Sequence, residues 1–320
     1  MNNTITDVPG ILLGHAENTE AATGCSVVLC EAGAVTGADV RGGAPGTREL
    51  AALDPVNYIQ EAHAVYLGGG SAYGLDGAAG VMQYLEERDT GLNVGVCKVP
   101  IVPGAVLFDL PVARPDIRPD KAMGYDACKN ACTPNTRQGN IGAGTGATVG
   151  KAAGMEFVMK GGLGTASFVT GNLIVGAVVA VNCFGDVIDP ETGKIIAGVL
   201  TGDKQHFAGT LNVITAAHRE ESRVFRSNTT IAVIATNAKL TKAQATKTAM
   251  MGHDGFARTI NPIHTMYDGD SIFCMATGEV ETDLTTTGSI AAYVIEQAVL
   301  NAVKAADSAY GIPCYSEING

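Results

Sequence analysis

Short apolar runs separated by Gly-rich turns fill the first third of the chain. The runs "CSVVLCE" (25–31) and "HAVYL" (63–67) read as strands, the second passing into the turn "GGGSAYGLD" (68–76). Apolar positions then recur at 3–4 spacing in "AAGVMQYLEER" (78–88), which predicts a helix. "VGVCKVPIV" (94–102) again reads as a strand, ending at a proline. Residues 114–146 are polar and rich in Gly and Pro and read as a loop region, closing on "GNIGAGTGATVG" (139–150). "KGGLGTASFV" (160–169) leads into the longest apolar run, "NLIVGAVVAVN" (172–182). That run is too short to span a membrane and predicts a buried strand. "CFGDVIDPETGKIIAG" follows as a hairpin turning at Asp189-Pro190-Glu191-Thr192-Gly193.

The composition changes at 201–228, which is polar, charged and weakly periodic, and reads as a linker. Regularity returns abruptly with the β-branched strand "TTIAVIAT" (229–236). A helix is predicted over 241–260 with Thr241 as N-cap, a strand over 271–277 and a long amphipathic helix over 289–310. Two strands and two long helices in this last part predict layered α/β packing. No internal repeat is present.

Composition narrows the classes. Across 320 residues, 46% are hydrophobic and 17% charged, enough apolar surface for a sizeable core. The net charge of −11, with no basic patch, argues against nucleic acid as a partner. Eight cysteines in a chain opening Met1-Asn2-Asn3-Thr4, without a secretory leader, read as buried free thiols of a cytoplasmic protein. Cys128 and Cys132 stand four apart but lack partners at ligand spacing, and the six histidines show no metal spacing, so no metal is expected. "GGGSAYG" lacks the Gly-Lys-Ser/Thr of a phosphate loop, and no Gly-x-Ser-x-Gly elbow is present.

The junction Asn228-Thr229-Thr230 is where chemistry enters. A polar linker runs straight into a buried strand that starts with a hydroxyl residue. Thr Oγ can attack the preceding carbonyl, and water can hydrolyse the resulting ester. The product is an N-terminal Thr whose α-amine, titrating near ~7.7, serves as its own general base. Asn182, which ends the apolar run, and the acidic triplet Asp268-Gly269-Asp270 are further candidates; the triplet also suits an ordinary turn.

Eight segments in order make the chain resemble the DmpA-like self-processing aminopeptidases of peptidase family S58. They are "DVRGGAPGTRE" (39–49), "LGGGSAYGLDGAAGV" (67–81), "VPIVPGAVLFDL" (99–110), "GAGTGATVGK" (142–151), "KGGLGTAS" (160–167), "GAVVAVNCFGD" (176–186), "NTTIAVIAT" (228–236) and "DGDSIF" (268–273). This group includes L-aminopeptidase/D-esterases, β-peptidyl aminopeptidases and nylon-oligomer (6-aminohexanoate oligomer) hydrolases. The resemblance implies a four-layer α/β/β/α sandwich in one domain, shared with ornithine acetyltransferases, and cut into fragments 1–228 and 229–320. It implies Thr229 as nucleophile, released by a cut after Asn228, and Asn182 as oxyanion donor. Asp268 and Asp270 would support the nucleophile; other members carry Ser and Glu there, so the Asp pair with Thr229 places the chain nearest the nylon-oligomer subgroup. It also implies an active-site lysine, with Lys160 placed ahead of Lys151 on its "KGG" context, and Tyr73 as a substrate contact.

The activity implied is hydrolysis of amide bonds in short substrates with a free amino end: peptides of L-, D- or β-residues, or 6-aminohexanoate oligomers. No cofactor, no membrane and a homotetrameric assembly are implied as well. Two alternatives stand beside it, an acyltransferase of the ornithine acetyltransferase type and an unprocessed, non-enzymatic protein.

Overall fold

The computed structural model describes residues 1–219 and 228–320. The strands of its main sheet are β1 (Leu12–Asn18), β2 (Thr23–Val40), β3 (Thr47–Arg48), β4 (Glu61–Gly68), β5 (Gly104–Val106), β6 (Gly162–Thr170), β7 (Leu173–Asn182), β8 (Thr229–Ala238) and β9 (Ser271–Val280). They hydrogen-bond in the order β6-β7-β8-β9-β2-β4-β5-β3, with β1 added against β2. β2 belongs to two layers. Its first half, Cys25 to Leu29, pairs with β1 and β4, and its second half, Val35 to Val40, pairs with β9. The register breaks between Leu29 and Ala34, where Gly33 takes φ +84°, so a glycine bulge turns the strand from one layer into the other.

The helices are α1 (Gly77–Glu86), α2 (Lys121–Lys129), α3 (Thr210–Arg219), α4 (Lys242–Thr259) and α5 (Leu284–Lys304). Strand alternation distributes the strand residues among three cores. Ile231, Val233 and Ala235 of β8 face Val28, Val65 and Leu67 of the other layer. Ala232 and Ile234 face the opposite way, onto Ala249 and Phe256 of α4 and Ile295 and Val299 of α5. Val27 and Tyr66 point outward from the second layer onto Val81 of α1 and Cys128 of α2. Three cores between successive layers make an α/β/β/α sandwich. Strands covered on both faces are apolar throughout, which is why they read as unbroken runs. α4 and α5 lie close because Gly255 leaves room: a Cβ there would stand 2.3 Å from the Ala292 carbonyl oxygen. No helix among the described residues is long and apolar enough to cross a membrane.

Several elements depart from the sequence reading. Of 94–102, only Lys98–Val99 is strand, paired with Leu92–Asn93 in a small hairpin. Asn93 Oδ1 accepts the Gly95 N–H at 2.9 Å, and this local turn leaves Val96 92% exposed. The polar loop 114–146 contains α2, capped by Asp120, whose carboxylate accepts the Met123 N–H at 2.9 Å. Cys128 is buried beneath β2 while Cys132 is exposed beside Leu13, so the two do not share a side. Residues 162–170 are a strand in their own right, antiparallel to β7. α5 starts earlier than expected, at Leu284, because Asp283 caps it through the Thr286 N–H, and it ends at Lys304. α4 keeps its expected cap: Thr241 Oγ accepts the Gln244 N–H. Within the expected linker, α3 is helical and anchored, since buried Asp186 accepts both the Thr210 N–H (2.6 Å) and Thr210 hydroxyl (2.8 Å). The remainder of that linker, 220–227, lies outside the described residues.

Candidate active site

β7 and β8 are antiparallel, and their register sets Asn182 directly opposite Thr229. Both are buried, as is Asn228. The Thr229 hydroxyl donates to the Asn228 carbonyl, so the candidate nucleophile and the candidate scissile peptide are in contact. Asn228 is held in turn through its N–H to the Tyr267 carbonyl at 3.1 Å.

The Asn182 amide has a defined orientation. Its Oδ1 accepts the Thr148 N–H at 3.0 Å and the Lys151 ammonium at 2.7 Å, while Nδ2 donates to the Phe108 carbonyl at 3.0 Å. With two donors on Oδ1, the amide nitrogen must occupy the other position, and one of its hydrogens remains uncommitted. Lys151 also donates to the Asn182 backbone carbonyl at 2.8 Å. Lys160 is as deeply buried but sits elsewhere, donating to the carbonyls of Thr145 (2.9 Å) and Ala147 (3.0 Å). Of the two lysines, the structure thus brings Lys151, not Lys160, onto Asn182.

The Asp268-Gly269-Asp270 triplet lies against the start of β8. A Cβ at Gly269 would stand 2.7 Å from Thr229 Oγ and 2.7 Å from the Ala44 carbonyl oxygen, so only glycine fits between the aspartates. Asp268 accepts the Phe184 N–H at 3.2 Å, the Thr265 N–H at 3.1 Å and the Thr265 hydroxyl at 2.5 Å. Asp270 accepts the Thr230 N–H at 2.7 Å through Oδ1, and the His264 N–H (3.1 Å) and ring Nδ1 (2.8 Å) through Oδ2. Burial, and then the neighbouring Asp270 charge, push Asp268 up to about 6. A buried carboxyl of raised proton affinity therefore lies at the start of β8, suited to proton transfer near neutrality.

A cleft of about 270 Å³ opens onto Thr229. Its walls include Ala44, Pro45, Ser71, Phe108 and Tyr267, and among the described residues no charged side chain lines it. Tyr73 is not part of this wall: it is 63% exposed, with the Arg118 guanidinium 3.9 Å above its ring, and Ser71 and Ala72 of the same turn line the cleft instead. Another cavity of about 290 Å³ by Tyr58, Glu61 and His63 carries no Ser, Thr, Cys or Lys in its wall among the described residues. His264 and Phe108 belong to the site and went unnoticed in the sequence. His264 carries a signal, standing six residues before Asp270 in "HTMYDGD", that a search for metal spacing does not detect.

Residues 3–313 match the model of peptidase family S58. The chain belongs to that family. An uncharacterized aminopeptidase of Mycobacterium leprae is 42% identical over 98% of this chain and 93% of its own. A 6-aminohexanoate-oligomer endohydrolase of Kocuria sp. is 33% identical over 93% of this chain and 85% of its own. In architecture the S58 chain is similar to the L-aminopeptidase D-Ala-esterase/amidase of Ochrobactrum anthropi, described as a variant of the Ntn hydrolase fold. There the TM-score is 0.70 at 19% identity, over 95% of this chain and 86% of that one. This S58 protein is a hydrolase of peptide or amide bonds.

Burial lowers both lysines of the S58 chain to about 7. The unfolded chain, with lysines near ~10.4, binds protons above pH 7 that the folded chain does not, so stability rises with pH across that window. Each lysine contributes a slope of about 1.4 kcal/mol per pH unit. Between about pH 7 and 8.5 Lys160→Met should remove one such slope, since the thiols that begin to ionise there are common to both proteins. Urea denaturation of Lys160→Met and its parent, both carrying Thr229→Ala so that each remains one polypeptide, measures it. Equal pH slopes would show that Lys160 does not lose its proton in the fold.

Proposed function

We propose that this S58 hydrolase is a self-processing amidohydrolase whose nucleophile is Thr229, exposed as a new N-terminus when the chain cuts itself after Asn228. The reading rests on one observation above the others: the Thr229 hydroxyl sits on the Asn228 carbonyl at the head of a buried strand, directly across from Asn182. In maturation, Oγ attacks the Asn228 carbonyl carbon and its proton passes to the acidic pair. The peptide C–N bond breaks with protonation of the Thr229 nitrogen, and water hydrolyses the ester between fragments 1–228 and 229–320. In turnover, the freed α-amine accepts the Oγ proton as Oγ attacks a substrate amide, and returns it to the leaving amine. Water then releases the acyl group. The uncommitted hydrogen of Asn182 Nδ2 stabilises the oxyanion in both reactions, a contribution of about 3 kcal/mol for one such donor. Lys151 is the active-site lysine, holding Asn182 in that orientation.

The substrates are short amides with a free amino end. Among the described residues the cleft wall carries no charged side chain, which suits an acyl portion without charge along its length, as in 6-aminohexanoate oligomers or peptides of apolar L-, D- or β-residues. The relationship to a protein named 6-aminohexanoate-oligomer endohydrolase supports the same choice. Intact mass and N-terminal sequencing under denaturing conditions should give two fragments, the smaller beginning at Thr229. An uncut chain that nevertheless hydrolyses 6-aminohexanoate oligomers or aminoacyl amides would remove the N-terminal nucleophile from the scheme.

A further inference from the structure

Asp270 faces the strand on one side and a histidine on the other. One oxygen takes the Thr230 N–H at 2.7 Å. The other takes two donors from a single residue, the backbone N–H of His264 at 3.1 Å and its ring Nδ1 at 2.8 Å. Nδ1 faces a carboxylate oxygen and so carries the ring proton in this contact. For one residue to supply both donors, His264 adopts φ +58°, a left-handed conformation that a side chain with a Cβ rarely enters. The strained backbone, the two bonds to Asp270 and the orientation of the ring form one unit.

The ring is also held from behind. His253, fully buried on α4, meets it edge to face with centroids 4.7 Å apart. His253 Nε2 lies 3.2 Å from the Asp39 carbonyl and 3.6 Å from its carboxylate, which is paired with Arg41 at 2.7 Å. A continuous set of contacts thus runs from the surface pair Arg41–Asp39 through His253 and His264 to Asp270, and ends on the N–H of the residue after the nucleophile.

We propose that His264 is a positioning residue for turnover: its ring N–H fixes the Asp270 carboxylate, which in turn holds the first peptide of β8 and so the position of Thr229. This rests on the reading of Thr229 as an N-terminal nucleophile. In the uncut chain Thr229 is tethered on both sides. After the cut it is a strand terminus, and such ends fray unless tied down. The Thr230–Asp270 bond is a side-chain tie one residue from the free amine. Loss of the His264 ring donor therefore affects hydrolysis of substrate more than self-cleavage.

The test compares His264→Gly with His264→Asn. Both residues accept a left-handed backbone, but only Asn offers a side-chain N–H to Asp270. His264→Gly should lower kcat about 10- to 100-fold with KM within about twofold, the range expected when a reacting group is misplaced by a fraction of an ångström. Self-cleavage, followed by intact mass, should slow less than turnover, and His264→Asn should recover most of the lost kcat. A wild-type kcat in His264→Gly, or equal losses in both variants, would overturn the proposal. If His264→Gly does not fold, His264→Asn decides alone: kcat within about threefold of wild type supports the role, and a larger fall overturns it. Thr229→Ala, run alongside, separates the two levels. An active Thr229→Ala chain removes the nucleophile reading itself. An inactive one beside a fully active His264→Gly removes only the role of His264.

Discussion

Thr229→Ala should remain a single chain of 320 residues and hydrolyse substrate at less than about one ten-thousandth of the wild-type rate. The size of the effect follows from what is removed. In the proposed scheme Oγ forms the new bond both in self-cleavage and in acyl transfer, whereas neighbouring groups only lower the barrier to that bond. Thr229→Ser retains the oxygen and loses one methyl group from a position that is 4% exposed. It should still cut itself and turn over within roughly tenfold of wild type, since losing one methyl disturbs local packing by only about 1 kcal/mol. Intact mass reports the cut, and release of amine from 6-aminohexanoate oligomers reports the turnover. Fragments 1–228 and 229–320 appearing in Thr229→Ala would show that a different atom attacks, and the arrangement around Thr229 would need another explanation.

Much of this site was legible because its parts fall at the ends of strands that the sequence marks clearly. The run ending at Asn182 and the run starting at Thr229 are each unbroken because each is covered on both faces, and antiparallel pairing sets their ends opposite one another. Asp268 and Asp270 were visible as a triplet, and Gly269 between them has a steric reason that only coordinates reveal, the close approach of Thr229 Oγ. Other features depend on tertiary contacts with no local signature. Lys151 and Lys160 look equivalent along the chain, each preceding the long strand, yet one reaches Asn182 and the other reaches the carbonyls of Thr145 and Ala147. Tyr73 stands in the correct turn, but its backbone directs it to Arg118 at the surface while Ser71 and Ala72 take the cleft. α2 and α3 were concealed by polar composition: each has an exposed face, and α3 is tied by Asp186, a residue far from it in sequence.

The two lysines allow a second large effect to be separated from general loss of stability. Lys151→Met should lower kcat by about 10²- to 10³-fold, comparable to losing an oxyanion donor, because Oδ1 of Asn182 keeps only the Thr148 N–H and the amide is no longer held in one orientation. Its effect on stability should be smaller, since Oδ1 of Asn182 keeps a donor and is not left unsatisfied. Lys160→Met should do the reverse. It deprives the Thr145 carbonyl of its Nζ donor, costing about 1–3 kcal/mol, while kcat stays within a few-fold because Asn182 is untouched. Steady-state kinetics and thermal denaturation of both variants supply the four numbers required. A collapse of kcat in Lys160→Met with Lys151→Met unaffected would mean that Asn182 does not depend on the lysine that touches it. The oxyanion donor would then have to be sought among the backbone N–H groups of the cleft wall. The opposite split ties rate to Lys151 through its hydrogen bonds to Asn182, and ties the burial of Lys160 to the architecture beneath the site.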